Sequence, residues 1–123
     1  MSTTIGDLMH ANLLEVFNER DPDRRRAAIA RTYTDDVAFH DAEGVITGPS
    51  AMNDKVQHLL DDAPGFVFRP EGPLREVDDL GMQAWGFGPE GQPPVVAGID
   101  VALVHDGRIT SVHTVLTSTP SAG

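Results

Sequence analysis

The chain has no cysteine. That excludes disulfides, a thiolate nucleophile and cysteine-based zinc or iron–sulfur sites. Positive charge is scarce: 9 Lys and Arg stand against 19 Asp and Glu, for a formal charge of −10. Nucleic acids and anionic membranes are gripped by clustered positive charge, so neither is expected as a partner. A polyanionic substrate would need one local basic pocket to override the field of the whole chain. Long apolar runs are also missing; the longest, around residues 95–104, falls far short of a membrane span. The N-terminal stretch MSTTIGDLMH lacks the basic segment and continuous apolar stretch of a secretory signal, so the default expectation is a cytoplasmic protein. There is no Gly-rich phosphate loop, no GxSxG elbow, and no HxH, HxxxH or HExxH spacing among His10, His40, His58, His105 and His113. Neither a metal nor a cofactor is therefore expected.

What is present suits one soluble domain over residues 1–123, because this length and a hydrophobic content of 40% are enough for a real core. No repeat, low-complexity block or linker divides it. The clusters Gly48-Pro49, Pro64-Gly65 and 88–94 are short and read as turns.

The first third reads helical. Ile5, Leu8, Met9, Leu13, Val16 and Phe17 recur at helical spacing and predict a helix over 4–18. Asp21-Pro22 is a good cap and first turn for a second helix reaching Thr32, on which Arg24-Arg25-Arg26 reads as a solvated face. Tyr33, beside Ile29, reads as core. At Val37-Ala38-Phe39-His40-Asp41 the period changes to two. A turn at 41–44 and a short return strand at 45–47 follow. Gly48-Pro49-Ser50 opens a third helix with Met52, Val56, Leu59 and Leu60 on its apolar face, ended by Pro64-Gly65. Strands are predicted over 66–69, 74–78, 82–87, 95–105 and 108–116, with a hairpin turn at Asp106-Gly107 and a loose tail over 117–123. Helices gathered ahead of a run of antiparallel strands predict an α+β fold, with helices on one face of a bent sheet. Such a sheet leaves a concave pocket at its open end, suited to a small ligand.

Asp100 carries the most information. It interrupts Val95-Val96-Ala97-Gly98-Ile99-Asp100-Val101-Ala102-Leu103-Val104, a strand apolar on both faces. A lone carboxylate there is penalised when charged, so its pKa should rise and it could stay protonated at neutral pH. A neutral acid in an apolar pocket can donate a hydrogen bond to a developing oxyanion. An Asp anchored by a backbone N–H, an Arg or a neighbouring subunit is the structural alternative. Gly98, two residues back on the same face, could leave room for a ligand. Asp41 shares the inward face of Val37 and Phe39 and could serve as a general base; an Asx-turn is the equally ready alternative. Trp85 and Phe87 alternate on one face of their strand and could line the pocket, with Met52 touching ligand from the third helix. His113 depends on hairpin register. A two-residue turn places it opposite Asp100, whereas a three-residue turn with a bulge places Val112 there and turns His113 to the far side.

Several segments, taken in order, resemble the nuclear transport factor 2-like superfamily, in particular its SnoaL-like and ketosteroid-isomerase-like members. They are Asn18-Glu19-Arg20-Asp21, Tyr33-Thr34-Asp35-Asp36-Val37-Ala38-Phe39-His40-Asp41, Thr47-Gly48-Pro49-Ser50-Ala51-Met52, Ala97-Gly98-Ile99-Asp100 and Asp106-Gly107-Arg108-Ile109. The resemblance implies a cone-shaped fold, with three helices lining a strongly curved, mostly antiparallel sheet around an apolar pocket. It also implies a homodimer through the convex sheet face, where Val101 and Leu103 fall. It assigns the base to Asp41 and the neutral oxyanion donor to Asp100. It turns Val112, Thr114 and Leu116 toward the pocket and His113 away, favouring the bulged register, and brings Gln83, Trp85 and Phe87 near the pocket. The first-helix tyrosine of the ketosteroid isomerases falls near Leu13, and Ala42 stands where they carry a proline after the base, so the resemblance does not extend to the steroid reaction. The expected function is a cofactor-independent isomerase- or cyclase-type enzyme acting on a small apolar carbonyl compound. The alternative is a non-catalytic module using the same pocket, or the sheet face, for binding.

Overall fold

The computed structural model describes residues 3–119. The chain enters its first helix through a reciprocal cap: Thr4 accepts from the Asp7 N–H, and Asp7 accepts from the Thr4 N–H. Helix α1 (Ile5–His10) does not run on as an α-helix, as the apolar spacing predicts. From Ala11 to Phe17 its turns widen into a π-helix. That wider turn brings Ala11, Asn12, Leu13, Val16 and Phe17 inside together.

Asp21 caps α2 (Pro22–Thr32) through the Arg24 N–H, with proline in the first turn. The arginine run on this helix is not a uniformly solvated face. Arg25 is fully buried because helical spacing turns it inward with Ala28 and Ile29, while Arg24 and Arg26 pair outside with Glu19 and Asp23. Its guanidinium donates to Asn53 Oδ1, the Glu19 carbonyl and Gln57 Oε1, tying α2 to α3 (Pro49–Asp61).

The strands are β1 (Tyr33–Asp41), β2 (Gly44–Thr47), β3 (Phe66–Pro70), β4 (Arg75–Val77), β5 (Leu80–Pro89), β6 (Val96–His105) and β7 (Arg108–Ser118). They form a large mixed sheet in the order β2-β1-β7-β6-β5-β3, with β4 also paired to β5. Every pairing is antiparallel except β1 with β7. The fold is α+β, with three helices covering one face of a sheet that does not close on itself. Strand β1 begins at Tyr33 rather than Val37. Its pairing with β7 starts at Tyr33–Ile109, is interrupted, and resumes at Ala38–Ser111, so the exposed Asp35-Asp36 stretch rides in the strand without joining the core. Strand β7 runs through Thr117 and Ser118, two residues expected in a loose tail; residues 120–123 of that expectation lie outside the described part.

The β6–β7 hairpin turns on two residues, Asp106 (φ 51°) and Gly107 (φ 79°), the left-handed pair that suits a tight hairpin. His105 faces Arg108 and Val104 faces Ile109. The bulge falls in the strand after Ile109 instead of in the turn. Its extra residue sits on β7, so Thr114, not Val112, faces Asp100. His113 faces Val101 on the outer side of the sheet and stacks on His40, with ring centroids 4.0 Å apart.

Candidate active site

Between the helices and the sheet lies a cavity of about 260 Å³. Leu13 and Phe17 of the π-helical stretch, with Phe68, Trp85 and Phe87 of the sheet, give it apolar walls. Asp100 and Thr114 also line it, as do Asp41, Glu43 and Lys55.

Asp100 sits mid-strand on β6 and is 4% exposed. Three side chains donate to it. Trp85 Nε1 (3.0 Å) and Thr114 Oγ1 (2.7 Å) reach Oδ1, and Asn12 Nδ2 (2.8 Å) reaches Oδ2. Burial pushes its pKa up. The hydrogen bonds from Thr114, Trp85 and Asn12 act in the opposite direction and only partly offset burial. Oδ1 already accepts two hydrogen bonds and Oδ2 only one, so with these donors in place the free position is on Oδ2. A proton on Asp100 therefore belongs on Oδ2.

Asn12 is itself anchored. Tyr33, fully buried at the start of β1, donates its hydroxyl to Asn12 Oδ1. Burial first, and the negative charge of Asp100 second, push the Tyr33 pKa well above its usual value, so the hydroxyl keeps its proton.

Asp41 ends β1 with its side chain 17% exposed. Its Oδ1 accepts from the Glu43 N–H at 2.9 Å, the Asx-turn geometry, and its Oδ2 lies 2.7 Å from Lys55 Nζ. Thus Asp41 both makes the turn and lines the cavity. Lys55 also meets Glu43 at 3.3 Å and lies 5.8 Å from the Phe39 ring centroid. Burial would lower its pKa, but the bonds and charges of Asp41 and Glu43 outweigh that and raise it. Among the described residues, no three His, Asp or Glu side chains gather as a metal site.

The family model for the SnoaL-like domain matches residues 11–112. This chain belongs to the SnoaL-like family. No curated protein matches it at significant similarity. Among solved structures, an isomerase candidate of the SnoaL-like family from Agrobacterium tumefaciens is 22% identical with a TM-score of 0.83, over 90% of this chain and 95% of that one. A polyketide cyclase candidate from Sinorhizobium meliloti is 17% identical with a TM-score of 0.70, over 88% and 93% of the two chains. A nuclear transport factor 2-like protein of unknown function from Cytophaga hutchinsonii is 14% identical with a TM-score of 0.67, over 94% and 92%. At these identities the likeness establishes the fold.

In this SnoaL-like domain, Asp41, Asp100, Trp85, Phe87, Thr114 and Leu116 come together on one cavity. Met52 and Val112 do not join them: both are sealed in the core, at 1% and 0% exposure. Gln83 spends its amide on the carbonyls of Gly72 and Ala84 and lines a separate small hollow. The room beside Gly98 holds no ligand space. A Cβ there would lie 2.5 Å from the Trp85 ring and 2.8 Å from the Val115 carbonyl, so glycine admits the indole that bonds Asp100.

Asn12 and Lys55 escaped the sequence reading of this candidate site, and Glu43 was read only as part of a turn. Asn12 lies on the same helical stripe as Leu8, Met9 and Val16, and a polar residue on a buried stripe is a signal in itself. Lys55 borders the Met52 and Leu59 face, where a lysine ordinarily reads as a stem lying along apolar surface with its charge in water.

Proposed function

We propose that this protein is a cofactor-independent acid–base enzyme of the isomerase or cyclase type, acting on a small, largely apolar carbonyl compound. The observation that carries the reading is that two carboxyl groups line one apolar cavity in unlike surroundings. Asp100 is buried under three donors, and Asp41 is ion-paired with Lys55. Unlike surroundings are how one fold keeps an acid and a base apart at one pH. In the proposed step, Asp41 takes a proton from the carbon beside the carbonyl. The C–H electron pair moves into the enolate, and its oxygen accepts a hydrogen bond from neutral Asp100 Oδ2. The proton then returns at another carbon, or the enolate attacks an electrophilic carbon of the same molecule. A cavity of about 260 Å³ falls just below the range of most ligand sites, ~300 to 1,000 Å³, and suits a molecule of one or two rings. Two structural relatives being isomerase and cyclase candidates supports the same reaction class.

The Lys55–Asp41 ion pair favours a second reading, a ligand-binding module in which Asp41 stays occupied. Exchange of the α-protons of 2-tetralone in deuterium oxide, followed by NMR, separates the two. The enzyme reading predicts catalysed exchange that falls by about 10²–10³-fold in Asp100→Ala, the usual loss for one oxyanion donor, and vanishes in Asp41→Asn. Naphthol, an enolate mimic, should bind and bind more weakly to Asp100→Ala. Binding without exchange would establish the module. No naphthol binding at any pH would remove the oxyanion site altogether.

The proposed macromolecular partner is a second copy of the chain. The outer sheet face exposes Val115 and Leu103 beside half-buried Val101 and Ile99, an apolar patch that supports a dimer through this face.

A further inference from the structure

Asn12 stands between Tyr33 and Asp100 and could face them in two ways, because one end of its amide only accepts and the other only donates. As found, Tyr33 donates to Oδ1 and Nδ2 donates to Asp100 Oδ2. Oδ1 of Asp100 accepts from both Trp85 and Thr114 and Oδ2 from Asn12 alone, so the free position for a proton is on Oδ2 of a residue that lines the cavity. Turned over, Asn12 would present its oxygen to Asp100 Oδ2 and capture the proton of the neutral acid. Asp100 would then donate into the wall, and the cavity would lose its donor.

The Tyr33 hydroxyl selects between these arrangements. In the reversed one, Asn12 Nδ2 would point at the hydroxyl oxygen, and the hydroxyl hydrogen would need another acceptor. Tyr33 is fully buried, and no other acceptor among the described residues bonds its hydroxyl. An orphaned buried donor is costly, so the observed orientation is held. Resting on the reading of Asp100 as a neutral donor, we infer that Tyr33 is a positioning residue. By donating to Asn12 Oδ1 it fixes the Asn12 amide with Nδ2 on Asp100, and so keeps the Asp100 proton available to the cavity.

Trp85, the single tryptophan, donates to Asp100 and gives the readout, and Tyr33 is the single tyrosine. The other ionisable groups on the cavity are Asp41, Glu43 and Lys55. His113 and His40 lie across the sheet on its outer face. An Asp100→Asn control identifies which transition in Trp85 emission against pH belongs to Asp100. In Tyr33→Phe the freed amide can accept the acid's proton, so the midpoint should move up by about one pH unit. Naphthol affinity should fall about tenfold or more. Replacing the tyrosine by 3-fluorotyrosine keeps the hydroxyl, makes it a stronger donor and should move the midpoint down; this arm stands even if Tyr33→Phe does not fold. In an Asn12→Leu background, Tyr33→Phe should have no further effect. An unmoved or lowered midpoint in folded Tyr33→Phe overturns the inference. So does an unmoved midpoint with 3-fluorotyrosine, or a Tyr33 effect that persists without Asn12. Exchange of the 2-tetralone α-protons by the unaltered protein tests the proposed reaction and the midpoint shifts test Tyr33, so the two fail separately.

Discussion

At the scale of single residues, the geometry of Asp100 sets a definite pH dependence of stability. Its pKa in the folded protein lies above the ordinary carboxyl value of 3.8, with burial as the cause. The folded form therefore holds a proton that the unfolded chain has already released. The stabilisation from that proton is complete below the unfolded value and is lost as pH rises through the folded one. Asp100→Asn has no charge to bury. Its oxygen can still accept from Trp85 and Thr114, while its N–H meets the Asn12 N–H that Tyr33 holds in place, a cost that does not change with pH. The stability of the variant relative to the unaltered protein should therefore rise from pH 4 to pH 7, and any gain should shrink toward pH 4. Urea denaturation at the two pH values measures this, and a gain that grew on acidification would contradict it. Legibility at this scale was uneven. A charge inside an apolar run identified Asp100, and a carboxylate closing an inward strand face identified Asp41. Asn12 and Lys55 stayed hidden because their importance comes from what faces them across the cavity, and their own helices do not record that.

Among the elements, α2 and α3 are held together by one buried guanidinium. Arg25 reaches two side-chain acceptors on α3 and the carbonyl of Glu19 ahead of α2. Removing it leaves those acceptors under-bonded in the interior, so Arg25→Met should cost about 3 kcal/mol, seen as a lowered urea midpoint at unchanged slope. Arg26→Met, whose partner Asp23 lies at the surface, should change stability by less than about 1 kcal/mol. Most element types could be read from the sequence, since capping residues, prolines and the switch from helical to alternating period are local signals. The widening of the first helix could not. The apolar spacing from Ile5 to Phe17 suits either turn, and packing against the sheet decides between them. Hairpin register was partly legible: the far-side placement of His113 follows from bulge parity, but the position of the bulge depends on how β7 meets β1.

For the whole molecule, the decisive quantities are charge and uncovered apolar surface. A net charge of −10 repels a second copy, while the outer sheet face with Val115 at 55% exposure and Leu103 at 37% attracts one. Added salt screens the repulsion without weakening the apolar contact. The proposed dimer should therefore tighten between about 20 and 200 mM salt, where the Debye length falls from roughly 20 Å to below 10 Å. Val115→Lys should leave a monomer at both salt concentrations with its naphthol binding intact. Sedimentation equilibrium reads the first outcome, and dimers that persist in Val115→Lys would place the interface elsewhere.

The parallel seam between β1 and β7 also governs the order in which the protein can be assembled. A ribosome releases β1 before β7, and until β7 follows, the short hairpin partner β2 is its one neighbour in the sheet among the described strands. Phe17 and the helices reach Val37 and Phe39 sooner, but the strand that fixes their place in the sheet comes later. Maturation should therefore come as one late, cooperative closure set by loop-closure entropy, with the half-made chain as the species most exposed to clumping.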